Sequence, residues 1–130
     1  MKELAPAPEW RVEQWLNTAA PMTLAAQRGR VVLGLAFQML CPGCAVHALP
    51  QMLRVREAFP ENELTLLGLH SVFEHHAAQG NAEALSAFLH EYRIGFPVGI
   101  DMQEADEPLP ATMRAYAMQG TPTVPLIVYR

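Results

Sequence analysis

The chain has 130 residues and a mass of 14.4 kDa, one domain's worth of material. Hydrophobic residues make up 51% and charged residues 17%, which excludes a disordered chain and supplies a core. Lys and Arg number 9 against 13 Asp and Glu, a formal charge of −4, so there is no electrostatic footprint for nucleic acid or an anionic membrane surface.

Residues 1–20 form an N-terminal lead-in to a single domain spanning residues 1–130. Leu4 to Pro8 is rich in Pro and Ala and reads as extended chain. Trp10 to Asn17 predicts a short helix that carries Trp10 and Trp15 toward the core. No apolar leader follows Met1 and Lys2, which favours a cytoplasmic location, or a periplasmic one if a leader was removed. Gln27 to Arg30 is a polar turn. Val31 to Phe37 is the longest apolar run, with seven residues. A membrane span needs about 20, so this run reads as a buried parallel strand.

Cys41-Pro42-Gly43-Cys44 follows, and then a helical stretch to Phe59 with Val46, Leu49, Met52 and Leu53 at helical spacing. Pro50 should kink that helix. Pro60 to Asn62 is a turn, and Leu64 to Leu69 a second apolar strand. Gly80-Asn81 offers a break and an N-cap. Leu85, Phe88, Leu89 and Tyr92 then mark one face of an amphipathic helix. Phe96 to Asp101 is a third strand, Glu104 to Pro110 an acidic loop, and Ala111 to Met118 a short helix. Gly120 to Thr123 is a turn, and Val124 to Tyr129 the last strand. Strands alternating with helices predict an α/β domain with a central, mostly parallel sheet flanked by helices.

Two cysteines are too few for a disulfide scaffold. Their placement, just past a buried strand and at a helix start, points to chemistry. The first N–H groups of the helix and the positive end of its dipole face Cys41 and favour its thiolate, below the free value of about 8.5. Cys44, one turn on, is near enough to close a disulfide with Cys41 and release a mixed-disulfide partner. Pro42 suits the first helical position, and Gly43 lets a partner's backbone approach. Thiolates also bind zinc or copper, but a structural zinc site needs four ligands. Histidines or a second subunit would have to complete it. His75, His76 and His90 read as surface residues, and the adjacent pair lacks the spacing of a helical clamp.

Taken together, these segments resemble the thioredoxin-like superfamily, in its TlpA/AhpC-TSA-type branch of thiol–disulfide oxidoreductases. The resemblance runs from about Trp15 to Tyr129. It is carried by Gln14 to Thr18, by Pro21 to Leu24 and by Gly29 to Leu33. Phe37 to Cys44 matches the strand–CxxC–helix, Leu67 to His70 the second strand, and Phe96 to Asp101 the branch's extra strand. Gly120-Thr121-Pro122-Thr123 matches the cis-proline loop. The resemblance implies a thioredoxin-like fold and an enzyme that exchanges disulfides with no cofactor and no bound metal. Cys41 would be the exposed nucleophile and Cys44 the buried resolving thiol. Pro42, Gly43, Thr121 and Pro122 would meet the partner chain. That partner would be a protein disulfide or dithiol, with a separate electron donor.

Three departures matter. The acidic residue often found six positions before the first cysteine is Leu35 here. That leaves His47, on the helix after Cys44, and His70, at the end of the second strand, as candidates for proton transfer. Peroxiredoxins, which share the fold, carry Thr or Ser three residues before the peroxidatic cysteine, where this chain has Gln38. A peroxide reductase and a redox-inert or metal-carrying module therefore stand as alternatives. Finally, such folds usually add an antiparallel strand and a helix after the cis-proline strand, and none is visible here. Val124 to Tyr129 would then be an open apolar edge, which predicts self-association.

Overall fold

Val31–Phe37 forms strand β2, and its alternation explains the two layers of the molecule. A computed structural model describes residues 6–129. Leu35 and Phe37 point to one face of the sheet, where they pack with Leu49, Met52, Leu66, Leu85, Leu89 and Val98. Val32 points to the other face, with Trp10, Leu24, Leu67 and Leu69. Ala36 joins Met113 and Met118 there.

The sheet has five strands. The others are β1 (Val12–Leu16), β3 (Thr65–His70), β4 (Val98–Asp101) and β5 (Leu126–Val128). Their order is β1-β4-β3-β2-β5. β2 and β3 are parallel, with Phe37 opposite His70, and β3 and β4 are parallel. β1 runs antiparallel to β4, and β5 antiparallel to β2. The sheet is therefore mixed rather than mostly parallel, with a parallel centre and antiparallel flanks. Central β3 is buried along its whole length, as a strand covered on both faces must be.

The helices are α1 (Leu49–Ala58), α2 (His76–Gln79), α3 (Ala82–Glu91) and α4 (Ala111–Ala115). Asn81 caps α3, its side-chain oxygen accepting the Ala84 N–H at 2.8 Å, as the Gly80-Asn81 break implied. A π turn, Cys44–Ala48, precedes α1. It ends where Pro50 begins to deny the helix an N–H, so the predicted kink takes the form of a widened turn.

Trp10 to Asn17 contains a strand instead of the expected helix. Val12, Trp15 and Leu16 mimic helical spacing because a register shift between Val12 and Gln14 breaks the period of two. Trp10 is still buried, and meets Trp15 edge-on with centroids 6.3 Å apart. Pairing of β1 with β4 is close. A Cβ built on Gly99 would stand 2.8 Å from Val12 Cγ1.

The last helix and strand are shorter than the periodicity suggested, and α2 was not foreseen. Among the described residues no strand or helix follows β5, whose Leu126 and Val128 are 65% and 54% exposed.

Candidate active site

The carboxyl end of β2 delivers Cys41 to the molecular surface through Gln38, Met39 and Leu40. Each of these residues is tied down. The Gln38 side chain is fully buried. The Met39 N–H donates to His70 Nε2 at 3.2 Å, and the Leu40 N–H to Gln79 Oε1 at 2.9 Å. The chain then turns into the helix, with the Cys44 and Ala45 N–H groups both 3.0 Å from the Cys41 carbonyl oxygen.

Cys41 is half-buried and Cys44 is buried. The Cys44 thiol donates to Cys41 Sγ at 2.7 Å, and the Cys44 N–H donates to the same sulfur at 3.3 Å. An S–S bond is about 2.05 Å, so less than an ångström of approach separates the two free thiols from a disulfide. Burial by itself would raise the Cys41 thiol. It is outweighed by hydrogen bonds from the Cys44 thiol and N–H, from the Thr121 side chain and from the Gly43 backbone, and Cys41 lies below the ordinary cysteine value. Burial, reinforced by the hydrogen bond to Cys41, pushes the Cys44 thiol up to about 12. One thiol is thus set up to ionise and its neighbour to stay protonated.

The Gly120–Thr123 loop lies alongside. The Thr121–Pro122 peptide bond is cis. The loop is anchored to β2 by reciprocal bonds between Ala36 and Thr123, at 2.8 and 3.1 Å. Cys41 Sγ stands 3.7 Å from the Thr121 carbonyl oxygen. A Cβ added at Gly43 would meet Pro122 Cδ at 3.6 Å, so Gly43 and Pro122 are neighbours. Cys41, Cys44, Gly43, Thr121 and Pro122 are therefore brought together, and Pro42 is exposed beside them.

The two histidines separate. His70 is 1% exposed, its Nε2 is occupied by the Met39 N–H, and burial pulls its imidazole down to about 4. It holds the loop before Cys41 as a neutral acceptor. His47 is exposed, within the π turn that follows the cysteines. Among the described residues it makes no hydrogen bond to either sulfur. No group of three or more His, Cys, Asp or Glu could hold a metal ion among the described residues.

Reading the sequence did not single out Gln79, and considered Gln38 only as a replaced threonine. The two amides meet beneath the cysteine loop, with Gln79 Nε2 3.0 Å from Gln38 Oε1. Gln38 Nε2 reaches Thr121 Oγ1 at 3.1 Å. The available signal was one of position: Gln38 continues the period of a buried strand, where a polar side chain needs partners.

No family model and no curated protein matches the chain. Solved structures do. The crystal structure of a thioredoxin-like superfamily protein superposes with a TM-score of 0.89 at 55% identity, covering 93% of this chain and 77% of that one. A thiol-disulfide isomerase from Corynebacterium glutamicum gives 0.88 at 41% identity, covering 95% and 79%. At 20% identity, a thioredoxin-like protein solved in its oxidized form gives 0.75, covering 93% and 75%, and shares the fold. With an α/β fold of this topology, and over 90% of its length aligned at up to 55% identity, the chain belongs to the thioredoxin-like superfamily.

Proposed function

We propose that the chain is a thiol–disulfide oxidoreductase that reduces or exchanges protein disulfides, with Cys41 as nucleophile and Cys44 as resolving thiol. The observation that carries this reading is the opposite poise of two sulfurs 2.7 Å apart, one lowered and half-exposed, the other raised and buried. The likeness to a thiol-disulfide isomerase at 41% identity supports it.

In the first step the Cys41 thiolate attacks one sulfur of a partner disulfide. A mixed disulfide forms, and the partner's other sulfur leaves as a thiolate. Cys41 loses its negative charge in that step, so the acceptor that held the Cys44 proton disappears. Cys44 then gives its proton to the departed thiolate and attacks Cys41 Sγ. The Cys41–partner bond breaks and the partner's second sulfur leaves. The partner gains two electrons and the chain keeps a Cys41–Cys44 disulfide, which a dithiol donor reduces. Pro42, Gly43, Thr121 and Pro122 form the surface that an extended partner segment meets.

Gln38 argues against peroxide reduction, because a buried amide tied to Thr121 takes the place of an open hydroxyl before Cys41. The test is reduction of insulin disulfides by the parent chain and by Cys41→Ser. Activity should fall to background in the variant. Equal exchange by Cys41→Ser, or a Cys41 thiol that titrates at the free value, would overturn the mechanism.

A further inference from the structure

β5 runs beside β2 in a register that can be followed past the end of the strand. Val32 pairs with Ile127, the Gly34 N–H donates to the Pro125 carbonyl oxygen at 3.0 Å, and Ala36 and Thr123 exchange bonds of 2.8 and 3.1 Å. One rung further, the same register sets Gln38 opposite Thr121. Among the described residues no backbone hydrogen bond joins that pair, and neither the N–H nor the carbonyl oxygen of Thr121 meets another backbone group. The rung is made by side chains instead, Gln38 Nε2 donating to Thr121 Oγ1 at 3.1 Å. The Thr121 carbonyl oxygen is left 3.7 Å from Cys41 Sγ.

The amide that makes this rung has no slack. The Phe73 N–H donates to Gln38 Oε1 at 3.1 Å, so the amide nitrogen must face Thr121. Gln79 Nε2 donates to the same oxygen at 3.0 Å and to the Glu74 carbonyl oxygen at 2.8 Å. Gln79 Oε1 accepts the Leu40 N–H at 2.9 Å. Gln38 and Gln79 are 0% and 1% exposed, so water cannot stand in for a lost partner. One buried pair of amides therefore holds both Leu40, next to Cys41, and Thr121, next to Pro122. We propose that Gln38 and Gln79 are positioning residues that fix the gap between the cysteine loop and the Gly120–Thr123 loop, holding Thr121 by its side chain so that its backbone stays open to a polypeptide partner. A polypeptide disulfide must meet Cys41 and the Thr121 backbone at once, whereas a small disulfide needs only the sulfur. The clamp thus favours polypeptide disulfides as the substrate class.

This inference rests on Cys41 acting as the nucleophile, and its test compares two substrates. Reduction of insulin disulfides and of bis(2-hydroxyethyl) disulfide is measured beside the pH profile of Cys41 alkylation, in folded protein. Gln38→Met should raise the KM for insulin about tenfold, the loss of one buried hydrogen bond, and leave kcat, the small-disulfide rate and the alkylation profile unchanged. Thr121→Val should raise the insulin KM likewise, and Thr121→Ser, which keeps the hydroxyl, should restore it. In a Thr121→Val background Gln38→Met should add nothing further. If Gln38→Met does not fold, Gln79→Met takes its place in the same cycle.

Equal losses on both substrates, an unchanged insulin KM, or amide and hydroxyl effects that simply add would overturn the clamp while leaving the exchange mechanism standing. A parent chain that reduces neither substrate would instead overturn the mechanism.

Discussion

At the carboxyl end of β4, Asp101 is completely buried and receives three donors. They are the Thr112 N–H at 2.7 Å, the Met113 N–H at 3.0 Å and the Ser71 hydroxyl at 2.8 Å. At the carboxyl end of β2, Cys41 also collects converging donors, yet half of it faces solvent. Burial raises the Asp101 carboxyl, and its hydrogen bonds oppose that rise without cancelling it. Burial acts the same way on Cys41, and there the hydrogen bonds win. Donors aimed at a closed site make a joint, here between β4, α4 and the segment after β3. The same device left open on one side would make a reagent if Cys41 is the nucleophile proposed above. The helices differ accordingly, since α4 is five residues held by Asp101, while the helix after Cys41 is long and packed into the main core.

Asp101→Ala breaks the closed joint and should have the largest effect on stability. Three buried donors lose their acceptor, so urea unfolding should show a loss of about 4 kcal/mol. Alkylation of Cys41 in the folded variant should keep the parental rate. A variant as stable as the parent would remove the contrast between the two sites.

His70 lies between the two clusters, at the end of β3, and supplies a pH test. Its folded-state value of about 4 lies below the usual 6.5. The unfolded chain therefore binds the proton first as pH falls. Stability from this group is present above about pH 6.5 and drains away toward pH 4, by about 3 kcal/mol. His70→Gln keeps an acceptor for the Met39 N–H and should flatten that slope in urea titrations. A slope unchanged by the substitution would place the acid sensitivity elsewhere.

Gly99 tests how far the joint extends toward β1. A Cβ there meets Val12 Cγ1 at 2.8 Å and Trp15 Cη2 at 3.2 Å, so Gly99→Ala should cost about 2 kcal/mol. Adding Val12→Ala should recover part of that loss. Insulin reduction below the melting temperature should be unaffected by either change.

Reading the residues in order found the reagent more readily than the joint. A continuous apolar strand, a CxxC and a proline loop are local patterns, and Val31 to Cys44 and Thr121-Pro122 carry them openly. Asp101 looked like a strand terminus, because its partners Thr112 and Ser71 are distant in sequence and ordinary in type. Gln38 and Gln79 were hidden for the same reason, since an amide's direction depends on which backbone groups surround it. β1 was misread because its bulge gave a strand the spacing of a helix. The four residues of α2 are too few to show a period, yet they place Gln79 under Leu40.

The central claim, that Cys41 attacks and Cys44 resolves, is tested most directly by trapping. Cys41→Ser and Cys44→Ser are each incubated with a disulfide-bearing protein, and mixed disulfides are read by mass. Cys44→Ser should accumulate a covalent adduct through Cys41, and Cys41→Ser should form none. An adduct that builds up equally in Cys41→Ser, through Cys44, would contradict the assignment.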